Sequence, residues 1–264
     1  MIGAIIGDIV GSRFEWNNTK CKRFNLFTRK CFITDDSIMS LSIAKAILEC
    51  NGDYTQLSNK AISIMRDIGQ QYPLCGYGGH FRKWIFASEP QPPYGSYGNG
   101  AAMRVSACGF AASSLKEAIE LSHKVTQITH DHPEGLKGAE ATTVAIWLAR
   151  TGRKLETIRN YIQSNYYDLN FKLADIRKEY HFDVTCQGTV PQAIESFLES
   201  TSFEDAIRNA ISLGGDSDTL AAITGGIAEA YYGVPDSLRG QAILYLDEQL
   251  TEILFKFETK FQNS

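Results

Sequence analysis

Apolar positions recur at three- and four-residue intervals along almost the whole chain, the spacing of a helix that lies against a core. Ile38, Leu41, Ala44, Ile47 and Leu48 mark one face of a helix from about 37 to 50. The same period predicts helices over about 55–71, 101–113, 115–126, 135–150, 154–164, 189–199, 203–211, 219–231 and 237–258. Strict alternation, the mark of a strand, is almost absent. The expectation is an all-α fold in which residues 1–264 form one domain, since no linker, internal repeat or low-complexity tract divides them.

Two stretches of small residues refine that picture. Gly3, Gly7 and Gly11 recur every four residues in an apolar opening segment, which predicts a tight helix–helix contact through a glycine face. The helix over 219–231 carries Ala221, Ala222, Gly225, Gly226, Ala228 and Ala230. Two glycines inside a helix cost roughly 1 kcal/mol each relative to alanine. Close approach by neighbouring helices would offset that cost, so this helix is expected to be central and buried. The periodicity breaks at 73–100, which is rich in proline and glycine, at about 128–134, and at about 180–190. The first break is too long for a simple connector and is expected to carry function.

Composition narrows the class. The chain has 264 residues, a size at the upper edge of one domain. Its net charge of −4 implies no basic face, so nucleic acid is not the expected primary partner. Met1 to Val10 is too short for a membrane span and lacks the flanks of a signal peptide. Six cysteines show no CxxC pair, so no thiolate zinc site is expected. Their wide spacing points to reduced thiols in a cytoplasmic protein, with no membrane association and a monomeric state expected. Neither GxGxxG nor GKS or GKT follows a strand-like run, so dinucleotide and P-loop folds gain no support.

The chemistry concentrates in two acidic clusters about 180 residues apart, Thr34-Asp35-Asp36-Ser37 and Gly214-Gly215-Asp216-Ser217-Asp218-Thr219. Each precedes a long apolar helical pattern. Brought together, four aspartates would repel one another and their pKa values would rise. A pair of divalent cations would remove the conflict, because hard cations take carboxylate and hydroxyl oxygens as ligands. Helix capping is the competing reading, since Asp, Ser and Thr favour helix N-termini. Capping needs one residue per helix, however, and each cluster offers two carboxylates plus spare hydroxyls.

Further candidates lie outside the clusters. Glu15, among apolar and aromatic neighbours, is either a general base of tuned pKa or a surface carboxylate. Gly95-Ser96-Tyr97-Gly98-Asn99-Gly100 precedes the helix expected near Ala101 and is either an anion cradle or a plain loop. His130 and His132 read as loop and cap residues rather than metal ligands.

These segments resemble the ADP-ribosylglycohydrolase family, and most of all its short bacterial members. The resemblance runs nearly end to end. It rests on Gly3-Ala4-Ile5-Ile6-Gly7-Asp8 with Glu15, on Thr34-Asp35-Asp36-Ser37, on Gly98-Asn99-Gly100-Ala101-Ala102-Met103-Arg104, on Thr129-His130, and on Gly214 to Thr219. It implies an orthogonal helical bundle around a binuclear centre of two Mg²⁺ or Mn²⁺ ions. Thr34, Asp35, Asp36, Asp216, Asp218 and Thr219 would be the ligands. Glu15, Asp36 and Asp216 would be the catalytic carboxylates. Gly95, Ser96, Tyr97, Gly98 and Asn99 would hold diphosphate and ribose, His130 would line the same cleft, and Gly78 and Gly79 would belong to the opposite wall. The implied reaction is metal-dependent cleavage of the glycosidic bond between ADP-ribose and an acceptor, a protein side chain or another ADP-ribosylated substrate, with ADP-ribose released.

Three rivals stand beside it. A prenyl diphosphate enzyme would need a DDxxD ladder, but Asp35-Asp36 is followed by Ser37-Ile38-Met39. A two-metal phosphohydrolase would use similar ligands on phosphorus. A catalytically silent ADP-ribose binder would be expected to lack Glu15 or a cluster aspartate, and all of these are present.

Overall fold

The computed structural model describes residues 1–261. Among them run fourteen α-helices: α1 Ile2–Ser12, α2 Asp35–Cys50, α3 Leu57–Gly69, α4 Gly79–Phe86, α5 Ser106–Ala111, α6 Leu115–Thr126, α7 Pro133–Arg150, α8 Leu155–Asn165, α9 Leu173–Ile176, α10 Cys186–Leu198, α11 Phe203–Leu213, α12 Ser217–Tyr232, α13 Asp236–Ile243 and α14 Glu248–Phe261. No strand forms among the described residues, only an isolated antiparallel bridge between Gly98 and Thr185. The fold is all-α, as the periodicity predicts.

Two helices set the interior. All of α1 is buried, and α12 is buried from Ser217 to Ala228. They form the most extensive helix pair in the fold. The glycine face of α1 makes this approach possible: a Cβ on Gly7 would sit 1.9 Å from the Ala221 carbonyl oxygen. Ile5, Ile6 and Ile9 occupy the other faces of α1 with no exposure. Each contributes about 1.5–3 kcal/mol by leaving water. This packing sets Gly11 of α1 against Ser217 and Asp218 at the start of α12, while Asp8 faces the start of α2, which lies beside both helices.

The remaining helices start where the chain supplies caps. Ser114 accepts from the Glu117 amide at 3.2 Å while the Ser113 amide donates to the Glu117 carboxylate at 2.7 Å. Ser202 accepts from the Asp205 amide to cap α11, and Thr185 accepts from the Gly188 amide to cap α10.

Four expectations need correction. The helix expected over 101–113 is a 3₁₀ turn at Asn99–Ala101 followed by the short α5. The Asn99 amide is drawn away to the Val184 carbonyl at 2.7 Å, so the chain enters from an extended bridge rather than a cap. The helix over 237–258 is broken at 244–247, where Asp247 turns back to cap Leu250 at 2.9 Å and takes the Tyr72 hydroxyl. The irregular stretch 73–100 contains α4, whose apolar face is only Phe81, Trp84 and Ile85. The break at about 180–190 ends early, because Thr185 caps α10 and that helix starts at Cys186. No helix of the described residues is long and apolar enough to cross a membrane.

Candidate active site

Four segments meet around one cleft: α1 with Asp8, the loop after it with Glu15, the start of α2 with Thr34, Asp35 and Asp36, and the start of α12 with Asp216, Asp218 and Thr219. The two acidic clusters touch, since the Thr219 hydroxyl donates to Asp36 Oδ2 at 3.2 Å. Carboxylate oxygens of Glu15, Asp216 and Asp218 lie within 4.8 Å of one another.

Asp8 organises the first cluster. It accepts from the Thr34 amide at 3.0 Å, the Thr34 hydroxyl at 2.7 Å, the Ser37 amide at 3.0 Å and the Ser37 hydroxyl. Burial nonetheless pushes its carboxyl upward against these four hydrogen bonds. Asn18 organises the second. The Gly215 amide donates to its Oδ1 at 2.7 Å, and its amide donates to the Gly215 carbonyl at 3.0 Å. That clasp holds the left-handed turn at Gly214 and Gly215, φ +74° and +72°, which aims Asp216 inward. Asn99 adds a third support by donating to Asp216 Oδ2 at 2.7 Å and Thr189 Oγ1 at 3.2 Å.

Capping explains one residue of the set. Thr34 caps α2 through the Asp36 amide at 3.2 Å. Asp216 occupies the cap position of α12 without making a cap hydrogen bond. Among the described residues, Asp36 Oδ1 and Asp218 Oδ1 are buried with no hydrogen-bond donor. Buried carboxylate oxygens without donors are costly. An acidic cluster of this kind has the donor set that a hard cation requires.

The electrostatics agree. Burial, then the charges of Asp8, Asp35 and Asp216, raises Asp36 well above the ordinary carboxylate range. Burial, then Asp216 and Asp36, does the same to Asp218. Asp216 is raised by burial although Asp218, Asn99 and Thr219 hydrogen bonds oppose it. Asp35 is pushed up to about 8 by burial, then Asp8. Half-buried Glu15 is pushed up to about 7 by burial, then Asp216. A divalent cation would reverse the sign of these effects.

The centre forms the floor of an open cleft of about 730 Å³. Gly78 and Gly79 line one wall, and Ser96, Gly98, Asn99, Gly100 and His130 line the other. Gly95 and Tyr97 do not line it: both are exposed, and Tyr97 packs against His132 with ring centroids 5.2 Å apart. Loop amides expected to face phosphate are partly committed elsewhere, with Gly95 donating to Asp131 at 2.7 Å and Gly98 to Ser96 Oγ at 3.2 Å. His130 is buried, and burial followed by the Arg104 charge holds it well below its usual pKa, so the ring is neutral at pH 7.

Sequence reasoning missed several contributors. Asp8 was visible as the one charge in an eleven-residue apolar helix. Trp16 and Phe182 stack at 5.0 Å on the rim, both exposed, and no local pattern links them. Arg104 is fully buried behind His130, and its partners come from the end of α6 and the loop that follows.

Comparison with known proteins defines the class. The sequence profile of the family described as ADP-ribosylglycohydrolase matches residues 1–258. ADP-ribosylhydrolase ARH3 of Xenopus tropicalis is 27% identical, with 88% of this chain and 86% of the relative covered. The ADP-ribosyl-[dinitrogen reductase] glycohydrolase of Rhodospirillum rubrum is 26% identical, with 77% of this chain and 70% of the relative covered. A solved structure titled ADP-ribosylglycohydrolase-related protein complex superposes with a TM-score of 0.72 at 20% identity, over 98% of this chain and 95% of its own, which shows a shared fold. The chain belongs to the ADP-ribosylglycohydrolase family, and it is a hydrolase of ADP-ribose linkages.

Proposed function

We propose that this single-domain protein cleaves the glycosidic bond joining ADP-ribose to an acceptor, with two divalent cations, Mg²⁺ or Mn²⁺, held by Thr34, Asp35, Asp36, Asp216, Asp218 and Thr219. The observation that carries the reading is the convergence of both acidic clusters and Glu15 on the floor of one cleft, with two buried carboxylate oxygens lacking donors. Bound cations would supply positive charge that fixes ribose hydroxyls and orients water.

The chain's own groups do the rest. Breaking a bond at an anomeric carbon develops oxocarbenium character, which nearby carboxylates stabilise. Glu15 stands beside Asp216 at the open side of the cluster and is the group suited to move a proton, toward the leaving group or from the attacking water. Gly78 and Gly79 present backbone without side chains on one wall, and Gly98 and Gly100 do so beside His130 on the other. The name of the Rhodospirillum rubrum relative specifies ADP-ribosylated dinitrogen reductase, which favours an ADP-ribosylated protein as substrate class here.

A panel of defined ADP-ribosylated substrates, with protein, nucleic-acid and small-molecule acceptors, tests this. Free ADP-ribose from at least one member is expected. Orthophosphate without ADP-ribose would mean a phosphohydrolase. Tight ADP-ribose binding with no turnover on any member would mean a binder.

A further inference from the structure

Arg104, Thr129 and His130 form a buried chain of hydrogen bonds behind the cleft wall, with relative exposures of 0%, 0% and 4%. The Arg104 guanidinium donates through Nη2 to Thr129 Oγ1 at 2.6 Å. Thr129 Oγ1 lies 2.7 Å from His130 Nδ1, and Arg104 Nη2 also approaches Nδ1 at 3.5 Å. Arginine has donors only, so the threonine oxygen must accept from it. Among the described residues His130 Nδ1 is the one acceptor within reach of the hydroxyl proton, which is therefore directed at it. Arg104 Nη2 spends its two protons on Thr129 Oγ1 and the Val125 carbonyl at 3.3 Å, so the Thr129 hydroxyl is the donor that makes Nδ1 the acceptor nitrogen, and a neutral imidazole then carries its proton on the other nitrogen.

That other nitrogen faces the glycine loop. A Cβ on Gly100 would lie 3.4 Å from His130 Nε2, and one on Gly98 3.7 Å. Among the described residues Nε2 has no hydrogen-bond acceptor. No carboxylate among the described residues pairs with Arg104 either: its Nε and Nη1 have no acceptor there, and its guanidinium lies 5.6 Å over the Phe81 ring. Its charge therefore remains beside His130 and disfavours a second proton on the ring.

We propose that Arg104 and Thr129 are positioning residues that lock His130 as the Nε2–H tautomer, so that one fixed, uncharged donor faces a ligand oxygen beside the 98–100 loop. The identity of that oxygen, a phosphate or ribose oxygen of ADP-ribose, rests on the proposed function. The tautomer does not.

Nitrogen-15 spectra of the imidazole rings at pH 7 read the tautomer directly, and the chain has only five histidines to assign. The wild-type ring of His130 is expected to show a protonated Nε2 and an acceptor Nδ1. Thr129→Val, of similar shape but without the hydroxyl, is expected to give mixed tautomers and about tenfold weaker ADP-ribose binding. Thr129→Ser, which restores the hydroxyl, is expected to recover both. A protonated Nδ1 in the wild type overturns the inference without any variant. So does a folded Thr129→Val protein with wild-type tautomer and affinity. A wild type that keeps the expected tautomer and loses it in Thr129→Val, yet binds no ADP-ribose, supports the relay and contradicts the proposed function.

Discussion

The side-chain amide of Asn99 donates to Asp216 Oδ2 across 2.7 Å, joining the glycine loop of the cleft wall to the acidic cluster on α12. Asn99 therefore acts on a carboxylate of the centre, and its amide is not free to meet ligand. Loss of such an orienting partner typically weakens cation binding 10–100-fold. Asn99→Ala is expected to lower Mn²⁺ affinity by about that factor while the protein stays folded. Calorimetric titration measures it, and unchanged affinity would mean that Asp216 needs no support from the loop.

Glu15 has a separate expected signature. In Glu15→Gln the shape is kept and proton exchange is lost. General acid–base assistance contributes roughly 10²–10⁴-fold, so kcat is expected to fall at least ~100-fold while ADP-ribose affinity stays within a few fold. Turnover measured beside a binding titration checks this. A near-normal kcat would transfer the proton-handling role to Asp36 or Asp216.

The α1–α12 contact is expected to be intolerant of a methyl group. Gly7→Ala places a Cβ 1.9 Å from a backbone oxygen that has no rotamer to change. Overpacking costs about 1–3 kcal/mol, against about 1 gained from helix propensity. Net destabilisation is expected, read as a lower urea midpoint. Because α1 carries Asp8 and α12 carries Asp218, cation affinity should fall with it. A midpoint at or above wild type would show that the helices separate freely.

Stability should also depend on pH in a defined sense. Without cations, Glu15 sits at about 7 and Asp35 at about 8, both raised by burial first. Unfolded carboxyls ionise near 4, so the folded chain binds more protons through this range and loses stability as pH rises. His130, held neutral, acts in the opposite sense below about 6.5, and the Met1 amino group, lowered by burial, does so up to about 8, though no cation acts on either. His123, raised by its hydrogen bond to Glu140, adds the same sign as the carboxylates, but no cation acts on it. From pH 7 to 8.5 the chelated protein is expected to melt progressively lower, by roughly 2–4 °C per kcal/mol lost. Millimolar Mg²⁺ should recover most of the drop. A Tm that is flat or rising over this window in chelator would contradict the account.

The sequence exposed those features that local spacing encodes. The glycine stripe at 3, 7 and 11, the small-residue helix after Gly215 and both acidic clusters follow from period and residue type. Features made by distant contacts stayed hidden. Asp8 acts through Thr34 and Ser37, Asn18 holds the second cluster through Gly215, and the break at 244–247 depends on Tyr72 reaching Asp247. The 95–100 loop shows the limit most clearly. Glycine and a following helix suggested an anion cradle, yet Gly98 has φ −65° and leads into a single 3₁₀ turn. At Gly98 a Cβ would meet Ser96 Oγ at 3.3 Å and would only touch His130 Nε2, 32 positions on, at an ordinary 3.7 Å.

The central claim is that the acidic centre, once loaded with divalent cations, releases ADP-ribose. The direct measurement is ADP-ribose formation from an ADP-ribosylated protein by enzyme stripped with chelator, before and after stepwise addition of Mg²⁺ or Mn²⁺. Release is expected to be near zero in chelator, to return with added cation, and to stay low in Asp218→Ala at the same cation concentration. Undiminished release in chelator, or full release by a folded Asp218→Ala enzyme, would contradict the account.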